Sequence, residues 1–97
     1  MRRPLRKSRK FEREFRRFQK NFGIIVSQLR KKRHLSRPEL ARLAKFSKTT
    51  LEHIEQGKGN PSLGRMENLA AALRYRISYI FKLTQDMDKS NKRKDGD

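Results

Sequence analysis

The sequence contains no cysteine, so disulfides and thiolate zinc sites are excluded, and neither oxidation nor metal is available to hold the chain together. Packing must do so alone. Long apolar runs are missing too: no stretch approaches the roughly 18 residues of a membrane span, and the basic N-terminus lacks the apolar segment of a secretory signal. The expectation is a soluble, cytoplasmic protein with no membrane span. Acidic residues are scarce, ten against 27 Lys and Arg, which leaves a formal net charge of +17 over 97 residues. A field of that sign favours a phosphate polymer as partner, with an anionic lipid surface as the main competitor. Hydrophobic residues make up 33%, enough for one small domain but too few to bring the whole chain into a core.

Reactive chemistry is sparse as well. The two histidines, His34 and His53, have no cysteine, paired carboxylate or serine constellation near them, and His34 sits in a basic turn that reads as solvated loop. No enzymatic activity, no metal and no cofactor is expected.

Charge divides the chain into three segments. Residues 1–20 carry ten basic and two acidic side chains, residues 21–83 carry thirteen and four, and residues 84–97 carry four and four. The last segment, TQDMDKSNKRKDGD, has no apolar periodicity and is expected to be a disordered polar tail over 84–97. Between Phe22 and Phe81 the apolar residues recur at helical spacing in five blocks, with no alternation long enough for a strand. The fold class is therefore all-α.

The first block, about Gly23 to Arg33, offers Ile25 or Val26 with Leu29 as its buried side, and Leu35 closes the core behind it. Ser36 lies three residues before Glu39, the spacing of a capping box, and Pro38 falls in the first turn, where its missing N–H has no intrahelical partner anyway. Leu40, Ala41, Leu43 and Ala44 supply the apolar stripe of this second helix. Lys45 and Phe46 form a tight turn, Ser47 opens a third helix with Leu51 and Ile54 inward, and Gly57 is a good left-handed stop. After the loop GKGNPS, Ser62 caps a fourth helix with Leu63, Met66, Leu69, Ala70 and Leu73 on its apolar side. Ile77, Ile80 and Phe81 mark a short fifth.

Two helices joined by a turn in this way make the shape of a helix-turn-helix. The stretch from Phe22 to Phe81 resembles the Cro and phage-repressor helix-turn-helix family, also called the XRE family, most specifically in IEQGKGNPSL and the LAAAL that follows. The resemblance implies a five-helix DNA-binding domain over residues 22–83, usually a homodimer on a palindromic operator of double-stranded DNA. The chain departs from the family pattern at Lys45, where a turn glycine is common, and at Arg74 and Arg76, so that the fifth helix is expected to begin late, with Ser78 as cap.

The resemblance carries base reading to Lys48, Thr49, Glu52 and His53, and helix geometry agrees, because Leu51 and Ile54 facing inward turn these four outward. Lys48 suits guanine O6 and N7, Thr49 a thymine methyl, and Glu52 cytosine N4. A solvated face with a Lys48–Glu52 pair is the alternative. Phosphate contacts are expected from Arg37 and Ser47 at helix starts and from Lys58, Asn60 and Ser62 in the loop, with Arg65 and Lys45 on the rim. The resemblance also pairs Arg30 with Glu55 as a structural ion pair.

The family does not account for residues 1–21, a basic arm followed by a helix. Phe11, Phe15, Phe18 and Phe22, spaced 4, 3, 4, form a narrow stripe on an additional basic amphipathic N-terminal helix. This stripe can dock on the domain's own core, form a dimer or partner-protein face, or lie on anionic lipid. The leading expectation is a sequence-specific, repressor-like transcriptional regulator. The alternative is an antitoxin or adaptor that holds a protein partner through the N-terminal helix and autoregulates by binding DNA.

Overall fold

The phenylalanine stripe and the apolar residues after it are in phase, and they form one helix, α1 (Arg9–Lys32), rather than an added helix followed by a separate first block. The computed structural model describes residues 9–94, so the expected arm lies outside the described residues apart from Arg9 and Lys10, which open α1. Four helices follow: α2 (Arg37–Ala44), α3 (Lys48–Glu55), α4 (Leu63–Leu73) and α5 (Ile77–Lys94). The additional N-terminal helix is present, fused to the first helix of the five.

Gly23 in the middle of α1 does not break it. A Cβ there would lie against the carbonyl oxygens of Ile54 and Glu55, 2.9 Å from the latter, so its absence is what lets the C-terminal end of α3 cross α1 so closely. The modest helix penalty of a glycine is offset by that packing.

Serines start three helices. The hydroxyl of Ser36 accepts the Glu39 N–H at 3.2 Å while the Ser36 N–H donates to Glu39 Oε1 at 3.0 Å, completing the capping box; Ser47 and Ser62 accept the N–H groups of Thr50 and Arg65. The ends are equally regular. At His34, Lys45, Gly57 and Arg74 the backbone is left-handed, and in each case the two Schellman hydrogen bonds form; at Gly57, for instance, Lys58 N–H donates to the His53 carbonyl and Gly57 N–H to that of Ile54. Three of these four stops carry a side chain, a conformation that costs about 1–2 kcal/mol outside glycine. Surrounding packing must impose it.

The core joins Phe22, Ile25, Val26 and Leu29 of α1 to Leu40, Ala41 and Ala44 of α2, Leu51 and Ile54 of α3, Leu69, Ala70 and Leu73 of α4, and Ile80 of α5. Two expected members are outside it. Leu43, 54% exposed, lies on the side of α2 turned away from α3 and α4, and Leu63, 60% exposed, is the first residue of α4, before that helix reaches the core.

The fifth helix differs from expectation at both ends. It begins at Ile77, directly after Arg76, instead of at a Ser78 cap, because Arg76 supplies the carbonyl that accepts from Tyr79 and Ile80. It also continues to Lys94, so the polar stretch from Thr84, expected as a disordered tail, is helical through Lys94. Tertiary contact supplies what local sequence lacks: Thr84 is buried with its hydroxyl on the Ile80 carbonyl at 2.8 Å, Met87 packs against the core, and Asp88 meets Arg17 of α1 at 3.3 Å.

Candidate nucleic-acid interface

The interface is built on α3, which is held at both ends. Ser47 at its start accepts from Thr50 N–H at 3.1 Å and donates its own hydroxyl proton to Thr50 Oγ1 at 2.8 Å. At its end the Glu55 carboxylate, only 3% exposed, is gripped by two arginines. Arg30 reaches it with Nε at 2.8 Å and Nη2 at 3.2 Å and uses Nη1 on the Leu35 carbonyl; Arg37 of α2 adds Nε at 3.1 Å. One carboxylate thus links the three helices α1, α2 and α3.

Locked in this way, α3 buries Leu51 and Ile54 and turns Lys48, Thr49, Glu52, His53 and Gln56 outward; all are exposed except Glu52, which is half-buried. Lys48 Nζ and Glu52 Oε1 lie 3.7 Å apart on this ridge, the lysine well exposed and the glutamate partly so. Such a pair contributes little to stability, so it is readily exchanged for a stronger partner. Lys48 donates hydrogen bonds only, Glu52 accepts as a carboxylate, and Thr49 carries a methyl and a hydroxyl: between them they can address base edges of different character.

The loop after α3 brings the other expected residues close by. His53, Lys58, Asn60 and Arg65 line one hollow with Thr50, and a second hollow beside it is formed by Lys45, Phe46, Ser47, Thr50, Arg65 and Asn68. Arg65 borders both, its guanidinium 5.9 Å from the centre of the Phe46 ring. Thr50 and Asn68 were not singled out in the sequence. Thr50 could have been found, since it sits three residues after the Ser47 cap, where capping places it at the mouth of the helix.

Several assignments change. Arg37, expected on phosphate, has its Nε on Glu55, which leaves only part of its guanidinium for an outside anion. Ser47 uses its hydroxyl proton on Thr50, so what remains for an anion at this helix start is the backbone N–H of Lys48 and Thr49. The stripe expected as a partner face is divided: Phe22 is buried, Phe18 stacks on it at 5.9 Å, and both rings meet Phe81 of α5. Only Phe11 and Phe15 are exposed, at 51% and 38%. Among ionisable groups, Glu39 has its carboxyl held below the ordinary range, chiefly by the backbone and then the side-chain hydrogen bond with Ser36, with Arg42 adding to the effect.

Residues 21–75 match the helix-turn-helix domain family, which is more than half of the chain. The chain belongs to that family, in its Cro and phage-repressor branch. Over 58 residues it is 38% identical to the immunity repressor protein of Bacillus phage phi105, a match covering 60% of this chain and 40% of that protein. The chain therefore spans well under two thirds of that relative. Among solved structures, the restriction-modification controller protein C.AhdI from Aeromonas hydrophila superposes with a TM-score of 0.63 at 29% identity, covering 64% of this chain and 94% of that one. The clp gene regulator ClgR from Corynebacterium glutamicum reaches 0.73 at 18% identity, covering 80% and 84%, a likeness of fold. The helix-turn-helix chain described here shares with these proteins the scaffold that presents α3. Among its described residues no helix is long and apolar enough to cross a membrane.

Proposed function

We propose that the chain is a sequence-specific, double-stranded DNA-binding transcriptional regulator of repressor type, which lays α3 in the major groove. The observation that carries this reading is the ridge of Lys48, Thr49, Glu52 and His53, projecting from a helix whose other face and both ends are fixed by the core and by Glu55. Lys58, Asn60 and Arg65, together with the N–H groups that open α3 and α4, hold the phosphates on either side of that groove. The phage repressor and the regulators of similar fold support the assignment. The regulator acts as a homodimer on a palindromic operator, its two recognition helices about 34 Å apart so that they enter successive major grooves. It works in the cytoplasm, occupies its operator without a cofactor and catalyses no reaction.

Selection on random duplexes tests this: a recovered palindromic motif, with half-sites about one helical turn apart, is the expected result. Lys48→Ala then relaxes preference at one base position by about 1–3 kcal/mol, whereas Lys58→Ala weakens all sequences alike and flattens the salt dependence. Equal losses on selected and random DNA for both variants would reject the division between base reading and phosphate holding.

A second reading, an antitoxin or adaptor that holds another protein through its N-terminal helix, draws only on the exposed pair Phe11 and Phe15. A partner that copurifies one-to-one and is lost in Phe11→Ala/Phe15→Ala would favour it.

A further inference from the structure

Gly23 and Arg30 both face α3, the first through the close approach of the Glu55 carbonyl and the second through its guanidinium on the Glu55 carboxylate. Seven residues are about two turns, so Arg16 and Arg9, stepped back from Gly23 by seven and fourteen, lie on this same face of α1 with a drift of about 20° per step. The chain leaving α3 runs along α1 towards these residues. Gly57 lies against the Lys20 backbone, Gln19 Nε2 donates to the Gly59 carbonyl, and Phe15 and Gln19 share a hollow with Lys58 and Asn60. The cations of the phosphate-holding loop are thus followed, farther along α1, by Lys20, Arg16, Arg13 and Arg9, all exposed. Arg16 has a carboxylate nearby, Glu12 at 3.7 Å, but both side chains stand in solvent and the pair is easily given up.

Resting on the DNA-binding reading above, we infer that this stripe is a second, helical contact to the same duplex, which lies along the sugar–phosphate backbone flanking the operator. From Arg9 to Lys20 it spans about 16 Å of helix, room for roughly two or three phosphates. It carries no base preference and lengthens the footprint on the side of the α3–α4 loop. Duplex is favoured over lipid by the arrangement of the helix. A lipid-bound helix needs its apolar face in the membrane with the cations beside it, whereas here half of the apolar stripe is committed to Phe81 and the core, and the cations lie across the helix from it.

The test compares the full chain with Arg9→Gln/Arg13→Gln/Arg16→Gln/Lys20→Gln on two duplexes carrying the same selected operator. One ends just outside the half-sites and the other extends about one turn farther on each side. The wild type is expected to bind the longer duplex about tenfold more tightly near 0.1 M salt and with a steeper log–log salt slope, by about two per subunit. The glutamine variant binds both duplexes equally with its base preference intact, and a second variant, Arg9→Lys/Arg13→Lys/Arg16→Lys, keeps the advantage. A wild type with no advantage on the longer duplex overturns the inference, as does an advantage that survives in the glutamine variant. So does a stripe whose removal abolishes binding to phosphatidylserine vesicles while leaving duplex binding unchanged. Failure of the wild type to prefer the operator over random duplex is a separate readout and condemns the parent reading instead.

Discussion

The two ends of α1 follow one sequence pattern and meet opposite surroundings. Phenylalanines at 11, 15, 18 and 22 are all on one stripe, yet Phe22 is buried and Phe18 packed beside it, while Phe15 and Phe11 are progressively exposed. The C-terminal end is enclosed because α3 lies on one side of it, at Gly23 and Arg30, and α5 on another, at Phe22. Among the described residues, the N-terminal end meets α5 through Arg17 and Asp88 and the loop after α3 at Gln19. Helical periodicity specifies which side chains share a face. What covers that face is decided by the length and placement of other elements.

Breaking the enclosed end should therefore cost far more than breaking the open one. Phe22→Ala is expected to destabilise by about 3–5 kcal/mol, as is Arg30→Ala, which leaves the Glu55 charge buried with only the half-exposed Arg37 beside it. Phe11→Ala should stay within about 0.5 kcal/mol. Urea unfolding followed by circular dichroism measures all three. Comparable losses at Phe22 and Phe11 would mean that the stripe is buried along its whole length, for example in a dimer. Since loss of Arg30 also removes the support of α3, its DNA-binding defect should track the unfolded fraction and vanish when stability is restored.

Gly23→Ala sharpens the comparison at the crossing itself. On an isolated helix this change is stabilising by about 0.5–1 kcal/mol; here the new methyl meets backbone carbonyls that cannot rotate away, and a net loss of about 1–3 kcal/mol is expected. Gln19→Ala, about one helical turn before the crossing towards the open end of α1, serves as the control. A stabilised Gly23→Ala protein would show that α3 can slide along α1, and that the close approach is not what fixes it.

A smaller effect, of opposite sign, is expected at Lys45. Its left-handed conformation suits glycine, and Lys45→Gly should gain about 0.5–1 kcal/mol after the greater freedom of glycine in the unfolded chain is counted. The thermal midpoint reports it directly. If stability falls instead, the lysine side chain is contributing to the turn between α2 and α3 through its long aliphatic stem.

What the sequence made legible divides along the same line. Ser36 with Glu39, Pro38, Gly57 and the Leu51–Ile54 pair were readable because each acts on its own turn of helix, and the outward ridge from Lys48 to His53 follows from them. The family resemblance marked Lys45 and Arg74 as departures from its pattern, and both are left-handed. Features set by distant partners were not readable: α5 runs on past Thr84 because α1 lies beside it, Leu43 is exposed because none of the described helices covers its side of α2, and Arg37 turns to a carboxylate eighteen residues away. The base-reading and phosphate-holding roles of the outward side chains rest on chemistry that only bound DNA can exercise.

The smallest of these effects concerns acid. Glu39 is fully exposed, and its carboxyl is held below the ordinary range by the hydrogen bonds with Ser36. A depressed folded-state pKa means that the unfolded chain takes up the proton first. The stability that the charged cap confers is therefore complete above the ordinary carboxylate range and is lost as pH falls through that range to the lowered folded value. Glu39→Gln keeps a residue that fits the same capping geometry but cannot titrate. The gap in thermal midpoint between wild type and Glu39→Gln should accordingly be constant near neutrality and shift against the wild type in acid. A gap that stays the same down to pH 2 would show that the charge on Glu39 adds nothing to the geometry of the cap.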